Sequence, residues 1–312
     1  MSQVSRPTKN KIDVKLPAWF YDFSKFAHDD PSKPKPFVKW VGGKRQLLNQ
    51  FKLRNLYPPD GFDAKKGKYF EPFVGGGAVF FDLLPKKAAL SDMNYELVTT
   101  YNVIRDDVET LIKSLKKHKY DKEYFLKIRA KKVQDLSPVE IASRFIFLNR
   151  TGFNGMYRVN SKGEFNVPFG KYNNPLICDA ENLRKVSFAL QGVDIKHQDY
   201  KAVLKSAKKG DFIYFDPPYY PVSTTASFTA YTKDAFLEKE QIELRDVFAE
   251  LSKRGCFVML SNSDTPFINK IYGELKKNGV PKIRISQIYA NRAINSDASK
   301  RGKITEVLVT NY

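Results

Sequence analysis

Three consecutive glycines, Gly75-Gly76-Gly77, lie between two apolar runs and constrain the fold more than any other feature of the chain. Before them, Tyr69-Phe-Glu-Pro-Phe-Val74 has the aromatic and β-branched character of a short strand. After them, Ala78 to Leu84 reads as the start of a helix. A second strand, Ala88-Ala-Leu-Ser91, ends at Asp92, and a long helix is expected from about Asn94. Residues 68–100 therefore spell one βαβ unit. The glycines fall where the backbone must turn sharply and where a ligand can approach it closely.

The alternation resumes further on. Helices are expected over Asn182–Leu190, Lys201–Ser206 and Glu240–Ser252. Strands are expected at Asp194–His197, Asp211–Phe215, Cys256–Leu260 and Ile304–Thr310. Strands alternating with helices predict an α/β fold, a mostly parallel sheet covered on both faces. Residues 101–175 break the pattern. Leu111, Leu115, Ile141, Phe145 and Leu148 recur at helical spacing, and residues 150–175 carry Gly, Asn and Pro at loop or hairpin intervals. This block reads as an insertion into a domain formed by 37–100 and 176–312. Residues 1–36 read as an extension of unknown role, closed by the linker-like Pro31-Ser-Lys-Pro-Lys-Pro36. Inside it, Trp19-Phe-Tyr-Asp-Phe-Ser-Lys-Phe26 is too aromatic for a simple tail and suits a short docked helix.

Charge narrows the partner. The 53 Lys and Arg outnumber the 34 Asp and Glu, a net +19 over 312 residues. Such a field attracts polyanions, and nucleic acid is the expected partner. No uncharged apolar run approaches the ~18 residues of a membrane span. Met1 to Lys15 is polar and basic, with no secretory h-region, so a cytoplasmic, nucleoid-associated location is expected. Cys178 and Cys256 sit among apolar neighbours and suit a reducing compartment. His28, His118 and His197 have no metal-ligand spacing, and no metal is expected.

Four groups of residues carry chemistry. Glu71-Pro-Phe-Val-Gly-Gly-Gly77 followed by Asp92 places a glycine turn beside an acidic strand end, the arrangement that holds a nucleoside-type cofactor with the acid on a ribose diol. Asp216-Pro-Pro-Tyr219 follows an apolar strand. Its prolines lack N–H groups and stiffen the chain, leaving a carboxylate, outward carbonyls and an aromatic face. That lip is an acceptor array for an exocyclic amino group, with Asp216 and the Pro217 carbonyl each taking one N–H and Tyr219 stacking on a purine. Phe37-Val-Lys-Trp-Val-Gly-Gly-Lys-Arg45 sets Trp40 against a Gly-Gly turn, where a sulfonium or nucleoside could pack, with Lys44 within reach of a carboxylate. Asn149 to Gly170 interleaves Arg, Asn, aromatics and glycines, side chains that match base edges or wedge between bases. Each also has a bland reading: a tight turn for the glycines, a helix N-cap for Asp92, a proline-stiffened turn for Pro217-Pro218, a buried ring for Trp40, and a polar hairpin for Asn149–Gly170.

In this order, Lys39-Trp40-x-Gly-Gly-Lys44, Phe73-Val-Gly-Gly-Gly77, the Asn149–Gly170 block and Asp216-Pro-Pro-Tyr219 resemble the Dam-type (α group) DNA adenine-N6 methyltransferases, including restriction-modification methylases. The resemblance runs from about residue 37 to 312. It implies the S-adenosylmethionine-dependent methyltransferase variant of the doubly wound, Rossmann-like sheet, with a helical target-recognition domain inserted after the second strand. It implies methyl transfer from S-adenosylmethionine to adenine N6 in double-stranded DNA, with S-adenosylhomocysteine as product. By motif position, Trp40, Lys44, Asp92 and Asp216 would contact the cofactor, Glu71, Gly75 and Gly77 would line its methionine part, and Asp199-Tyr200 would hold its adenine. Asp216, Pro217 and Tyr219 would be catalytic. Lys39 would read the first base, and Phe153, where the enterobacterial member has Tyr, would insert into the duplex. Asn154, Met156, Arg158 and Pro168 match base-contacting positions. GATC is the expected target, a cognate restriction endonuclease a possible partner, and base flipping the expected route. The rivals are another short adenine site, an RNA or protein-amide methylase, and a silent DNA-binding relative.

Overall fold

The computed structural model describes residues 32–222, 236–280, 282–291 and 303–312, with Asp30. The chain divides into two compact units, Met1–Asp30 and Pro31–Tyr312. All of the first except Asp30 lies outside the described residues, and with it the aromatic stretch Trp19–Phe26.

The second unit is built on one seven-stranded sheet. Its strands are β1 (Tyr69–Glu71), β2 (Ala88–Asp92), β3 (Asp194–His197), β4 (Phe212–Phe215), β5 (Phe257–Ser263), β6 (Arg284–Asn291) and β7 (Lys303–Thr310), in the order β3-β2-β1-β4-β5-β7-β6. Strands β1 to β5 are parallel, and β7 runs antiparallel between β5 and β6. The chain winds outward from β1 in one direction through β2 to β3, then returns beside β1 with β4 and winds the other way. The reversal between β1 and β4 opens a crevice at the carboxyl ends of those strands, where open α/β sheets bind ligands.

The period of two along β4 shows why both faces are covered. Phe212 and Tyr214 enter one core, and Ile213 and Phe215 enter the other. The first core also takes α2 (Ala78–Leu83), α3 (Tyr95–Asp106) and α7 (Ala180–Ala189) through Phe80, Tyr101 and Val186. The second takes α8 (Glu238–Lys253) and α9 (Pro266–Lys277) through Phe248 and Tyr272. Helix α1 (Arg45–Leu53) packs Leu47 and Phe51 into the first core.

Three features differ from the expectation. Strand β1 stops at Glu71 because Pro72 has no N–H for the ladder. Helix α9 and strand β6 were not expected; Thr265 caps α9, accepting from Ile268 N at 3.4 Å, with Pro266 at the first helical position. The helical block also begins later than residue 101, since α3 runs to Asp106. Beyond it lie α4 (Val108–Leu115), α5 (Lys122–Arg129) and α6 (Pro138–Thr151), the last opened by a Ser137/Glu140 capping box. An irregular hairpin follows, pinned by bridges Gly152↔Phe169 and Val159↔Phe165.

This block does not stand apart from the sheet domain. Leu111, Ile112 and Leu115 of α4 and Phe145 and Ile146 of α6 lie in the first core, while Phe147 and Leu148 face a small third core with Phe125, Ile128, Phe165 and Val167. A buried ion pair fastens the junction. Arg144 Nη1 of α6 meets Glu96 Oε2 of α3 at 2.6 Å. The guanidinium also donates to the Ile128 and Arg129 carbonyls, and Tyr157 OH donates to Glu96 Oε1 at 2.9 Å. Removing one partner of a buried pair leaves an uncompensated charge, at a cost of about 3–5 kcal/mol. Arg144→Ala should therefore lower stability by that amount, read as the shift in urea unfolding midpoint at unchanged slope. A loss within ~0.5 kcal/mol, the range of ordinary surface changes, would show that the pair does not fasten the block.

Candidate active site

The crevice is framed by the carboxyl ends of β1, β2 and β4. At the first, the glycine turn adopts left-handed backbone, φ +47° at Gly75 and +68° at Gly77. The turn is held from three sides. Gly75 N donates to Asp92 Oδ2 at 3.1 Å, Tyr101 OH of α3 donates to Gly75 O at 3.0 Å, and the Trp40 indole packs so closely that a Cβ on Gly75 would lie 2.6 Å from its Nε1. Asp92 is not the N-cap of α3. Asn94 is, accepting from Leu97 N at 3.0 Å, and Asp92 Oδ1 accepts from Asn94 N.

Glu71 is buried beneath the turn. Its Oε2 accepts from Tyr69 OH at 2.8 Å and from Phe80 N at 3.2 Å. Burial, with negative Asp216 and Asp92 nearby, pushes its carboxyl up to about 8, against the pull of those two hydrogen bonds. Burial also raises Asp92.

At the end of β4 the Asp216–Tyr219 lip is braced from several elements. Lys44, only 2% exposed, places its Nζ 2.8 Å from Asp216 Oδ1 and 4.7 Å from the centroid of the Tyr219 ring, and donates to Gly42 O. The Ser261 hydroxyl of β5 donates to the same Asp216 oxygen at 2.8 Å and pairs with Tyr214 OH. Tyr219 OH donates to Glu306 Oε2 of β7 at 2.8 Å. Gln241 of α8 donates to the Pro218 carbonyl at 3.0 Å and accepts from Asn262, whose Oδ1 receives Tyr220 N. Burial raises both the Tyr219 phenol and the Glu306 carboxyl.

The expected site residues thus fall into groups. Trp40, Lys44, Glu71, Gly75, Gly77, Asp92 and the 216–219 lip surround one crevice. Asp199 caps the 3₁₀ turn Tyr200–Lys205 by accepting from Lys201 N, and the buried Tyr200 ring stacks on Phe73 at 5.2 Å beside β3. The recognition candidates gather on the hairpin. Phe153 is 49% exposed, its N–H held by the Pro168 carbonyl at 2.8 Å. Asn154 adopts φ +55°, Met156 is half-buried, and exposed Arg158 donates to Asn166 Oδ1 at 2.7 Å. Lys39 joins this group, its ammonium 4.6 Å from the Tyr172 ring centroid. Trp40 links the two groups, since its indole also stacks on Tyr157 at 6.1 Å.

Sequence reasoning missed Ser261, Asn262, Gln241, Glu306 and Tyr101. Three of these carried a signal. Ser261-Asn262-Ser263 ends an apolar strand with three polar residues, and Glu306 is an acid inside the apolar Ile304–Val309 run. Gln241 and Tyr101 lie on helix faces whose partners only the tertiary fold brings near.

Known proteins are similar to this chain over most of its length. Residues 40–288 match the family described as D12 class N6 adenine-specific DNA methyltransferase. The type II methyltransferase M1.LlaDCHI of Lactococcus lactis subsp. cremoris is 44% identical over 286 residues, 89% of this chain and 95% of its own. The type II methyltransferase M.MjaIII of Methanocaldococcus jannaschii is 42% identical over 296 residues, 89% and 99%. The DNA adenine methylase of Escherichia coli K12 is 33% identical over 281 residues, 88% and 95%.

Glu71 ties the crevice to pH. Its folded pKa of about 8 lies above the ordinary 4.5, so between those values the native protein keeps a proton that the unfolded chain has lost. Stability then falls as pH rises through that window. Glu71→Gln should flatten this dependence, so that the fall in Tm between pH 5 and 8 shrinks relative to the parent. Parallel Tm curves for the two proteins would show that the native carboxyl is already ionised.

Proposed function

The chain belongs to the D12 class of N6 adenine-specific DNA methyltransferases, and from that premise we propose that it methylates adenine in duplex GATC after rotating the base out of the helix. The observation that carries the catalytic part is the braced Asp216–Tyr219 lip at the sheet reversal, with the buried Lys44 paired to its carboxylate.

The family implies S-adenosylmethionine, and the crevice chemistry fits it. Asp92 and Asp216 both lie within electrostatic reach of Glu71, and burial raises Glu71 and Asp92, so the edge favours a ligand that brings positive charge. We assign Asp92 to the ribose diol, Trp40 with Glu71, Gly75 and Gly77 to the methionine part, and the Asp199-Tyr200 turn to the adenine. When bound, the cofactor supplies an electrophilic methyl group on a positively charged sulfur.

The chain's own residues do the rest. A carboxylate has about four acceptor sites, so Asp216 can take one N6 hydrogen while keeping Lys44 and Ser261. The Pro218 carbonyl is committed to Gln241, which leaves the Pro217 carbonyl for the second hydrogen. Held this way, the N6 lone pair is free to attack. The N–C bond forms as the C–S bond breaks, and one N6 proton leaves to Asp216 or to water. Tyr219, fixed by Glu306, offers its ring to the purine. Orientation and dipoles aimed at the charge growing on N6 supply the rate.

The target rests on the hairpin. An adenine inside the stack cannot present N6 to a buried crevice, so the base must leave the helix, and the exposed Phe153 suits the vacated space. Lys39 and Arg158 are donors suited to guanine O6 and N7, and Asn154 to an adenine edge. The net charge of +19 suits a phosphate-tracking surface. The type II names of two relatives support a cognate restriction endonuclease as a partner. No helix among the described residues is long and apolar enough to cross a membrane, and we infer a cytoplasmic site of action on DNA.

Methylation-aware sequencing tests the target. DNA from a methylation-free host expressing this chain should carry N6-methyladenine in GATC, and the same host with Asp216→Ala should carry none. A different methylated motif would overturn GATC and leave the adenine chemistry standing. Base flipping is tested with 2-aminopurine at the target. Phe153→Ala should lose most of the fluorescence rise on binding while cofactor affinity stays unchanged, and an equal rise in both proteins would count against the wedge.

A further inference from the structure

We propose that Asn149 is a positioning residue for sequence discrimination: it locks Lys39 to the recognition turn and so sets how strictly the chain reads the base that Lys39 faces. The inference rests on the reading of Lys39 as a base-contacting residue.

Asn149 lies in the last turn of α6 and is fully buried. Its amide is used in both directions on one residue. Oδ1 accepts from Lys39 N at 2.8 Å, and Nδ2 donates to Lys39 O at 2.8 Å. The second hydrogen of Nδ2 goes to Gly155 O at 2.9 Å, in the turn that carries Phe153 and Asn154. One side chain therefore fixes the backbone of Lys39 and the turn to a common reference. No other standard side chain of this size has an acceptor and two donors on one planar group apart from the longer Gln.

The Lys39 side chain is confined as well. Its stem lies flat on Gly155, where a Cβ would stand 2.3 Å from Lys39 Cδ and 2.8 Å from its Cβ. Its ammonium lies over the Tyr172 ring, and Tyr172 OH donates to Gly152 O at 2.9 Å, on the other side of the same turn. The next residue, Arg150, donates to Phe37 O at 2.8 Å, so the end of α6 grips the 37–39 segment twice. A buried amide with three backbone partners would also serve the fold alone. The two roles separate in what they control. Hydrogen bonds weaken steeply with misalignment, so freeing Lys39 from the turn degrades the contact made by Lys39 and leaves phosphate contacts and the other base contacts in place.

The test is a discrimination profile for the full-length chain with its cofactor. Single-turnover rates are measured on the target duplex and on duplexes altered at one base pair at a time. Asn149→Asp keeps the size and the acceptor for Lys39 N but removes both donors. It should reduce discrimination about tenfold at one base pair, the scale of one lost base contact, with the profile unchanged elsewhere. Lys39→Ala should relax the same base pair, and the double variant should relax it no further. Gly155→Ala, which displaces the Lys39 stem from the opposite side, should relax that base pair too and covers the case in which Asn149→Asp fails to fold. If Lys39→Ala relaxes one base pair while Asn149→Asp, or Gly155→Ala in its place, slows all duplexes alike or changes nothing, the positioning role is overturned. If Lys39→Ala relaxes no base pair, the reading of Lys39 falls, and this inference falls with it.

Discussion

The crevice at the sheet reversal depends on one buried ammonium. Three carboxylates, Glu71, Asp92 and Asp216, converge where the sheet reverses, and the Lys44 Nζ pairs with the last of them at 2.8 Å. Carboxylates taken out of water must lose their charge or find a cation, because desolvation of an ion costs several kcal/mol even after relaxation. The crevice divides the two outcomes. Asp216 has Lys44 and Ser261, while Glu71, with only neutral donors, holds its proton up to about pH 8. An edge of this kind has room for positive charge from a ligand, and the position of Lys44 sets where that charge must not fall. Lys44 owes its place to the Gly42-Gly43 turn, which lets the chain double back so that its Nζ donates to Gly42 O while reaching Asp216.

Two adjacent residues connect this edge to the hairpin that follows α6. Lys39 faces Gly155 and Tyr172, and Trp40 faces Gly75 and Tyr157. Tyr157 in turn hydrogen-bonds Glu96, which holds the buried Arg144. The segment before α1 is therefore shared packing, and neither the glycine turn nor the hairpin is complete without it. Domain language fits poorly here. Helices α4 and α6 bury residues in the same core as β1 and β4, so the block they belong to is an outgrowth of that core with a small core of its own.

That sharing also explains what was legible in the sequence. Strand ends were legible because they are punctuated: Gly75-Gly76-Gly77 after β1, Asp92 at the end of β2, and Pro217-Pro218 after β4 each announce a stop by local backbone chemistry. The crevice residues on those stops came with them. Helix α9 and strand β6 were missed because their partners are distant in sequence: Tyr272 and Leu275 join a core shared with β4, β5, β7 and α8, and among the described residues β6 pairs with β7 alone. The run of α3 through residue 101 was hidden for a related reason. Helix α3 has no internal break there, and the stop at Asp106–Asp107 is set by the turn into α4. Ser261 and Glu306 are invisible as ligands of the lip until β5 and β7 are laid beside β4.

The charge pattern has a consequence for the order in which partners meet. The chain as a whole carries +19, yet the crevice at its sheet edge is lined by buried carboxyls, of which Glu71 keeps its proton and Asp216 is paired with Lys44. Screening limits exposed charges to about 8 Å at physiological ionic strength, whereas buried pairs are screened much less. The surface lysines therefore act on DNA from outside, and the carboxylates act on whatever enters. A phosphate is drawn to the surface lysines and costs desolvation to bury in the crevice, where Lys44 is already paired with Asp216. A flipped base is uncharged and carries no such penalty, provided its phosphates stay at the rim. The crevice thus selects for a cation and a neutral ring together, and it disfavours single-stranded nucleic acid threading through with its phosphates. On the proposed reading, discrimination between DNA sequences is made outside it, at the hairpin and Lys39, before a flipped base reaches Asp216.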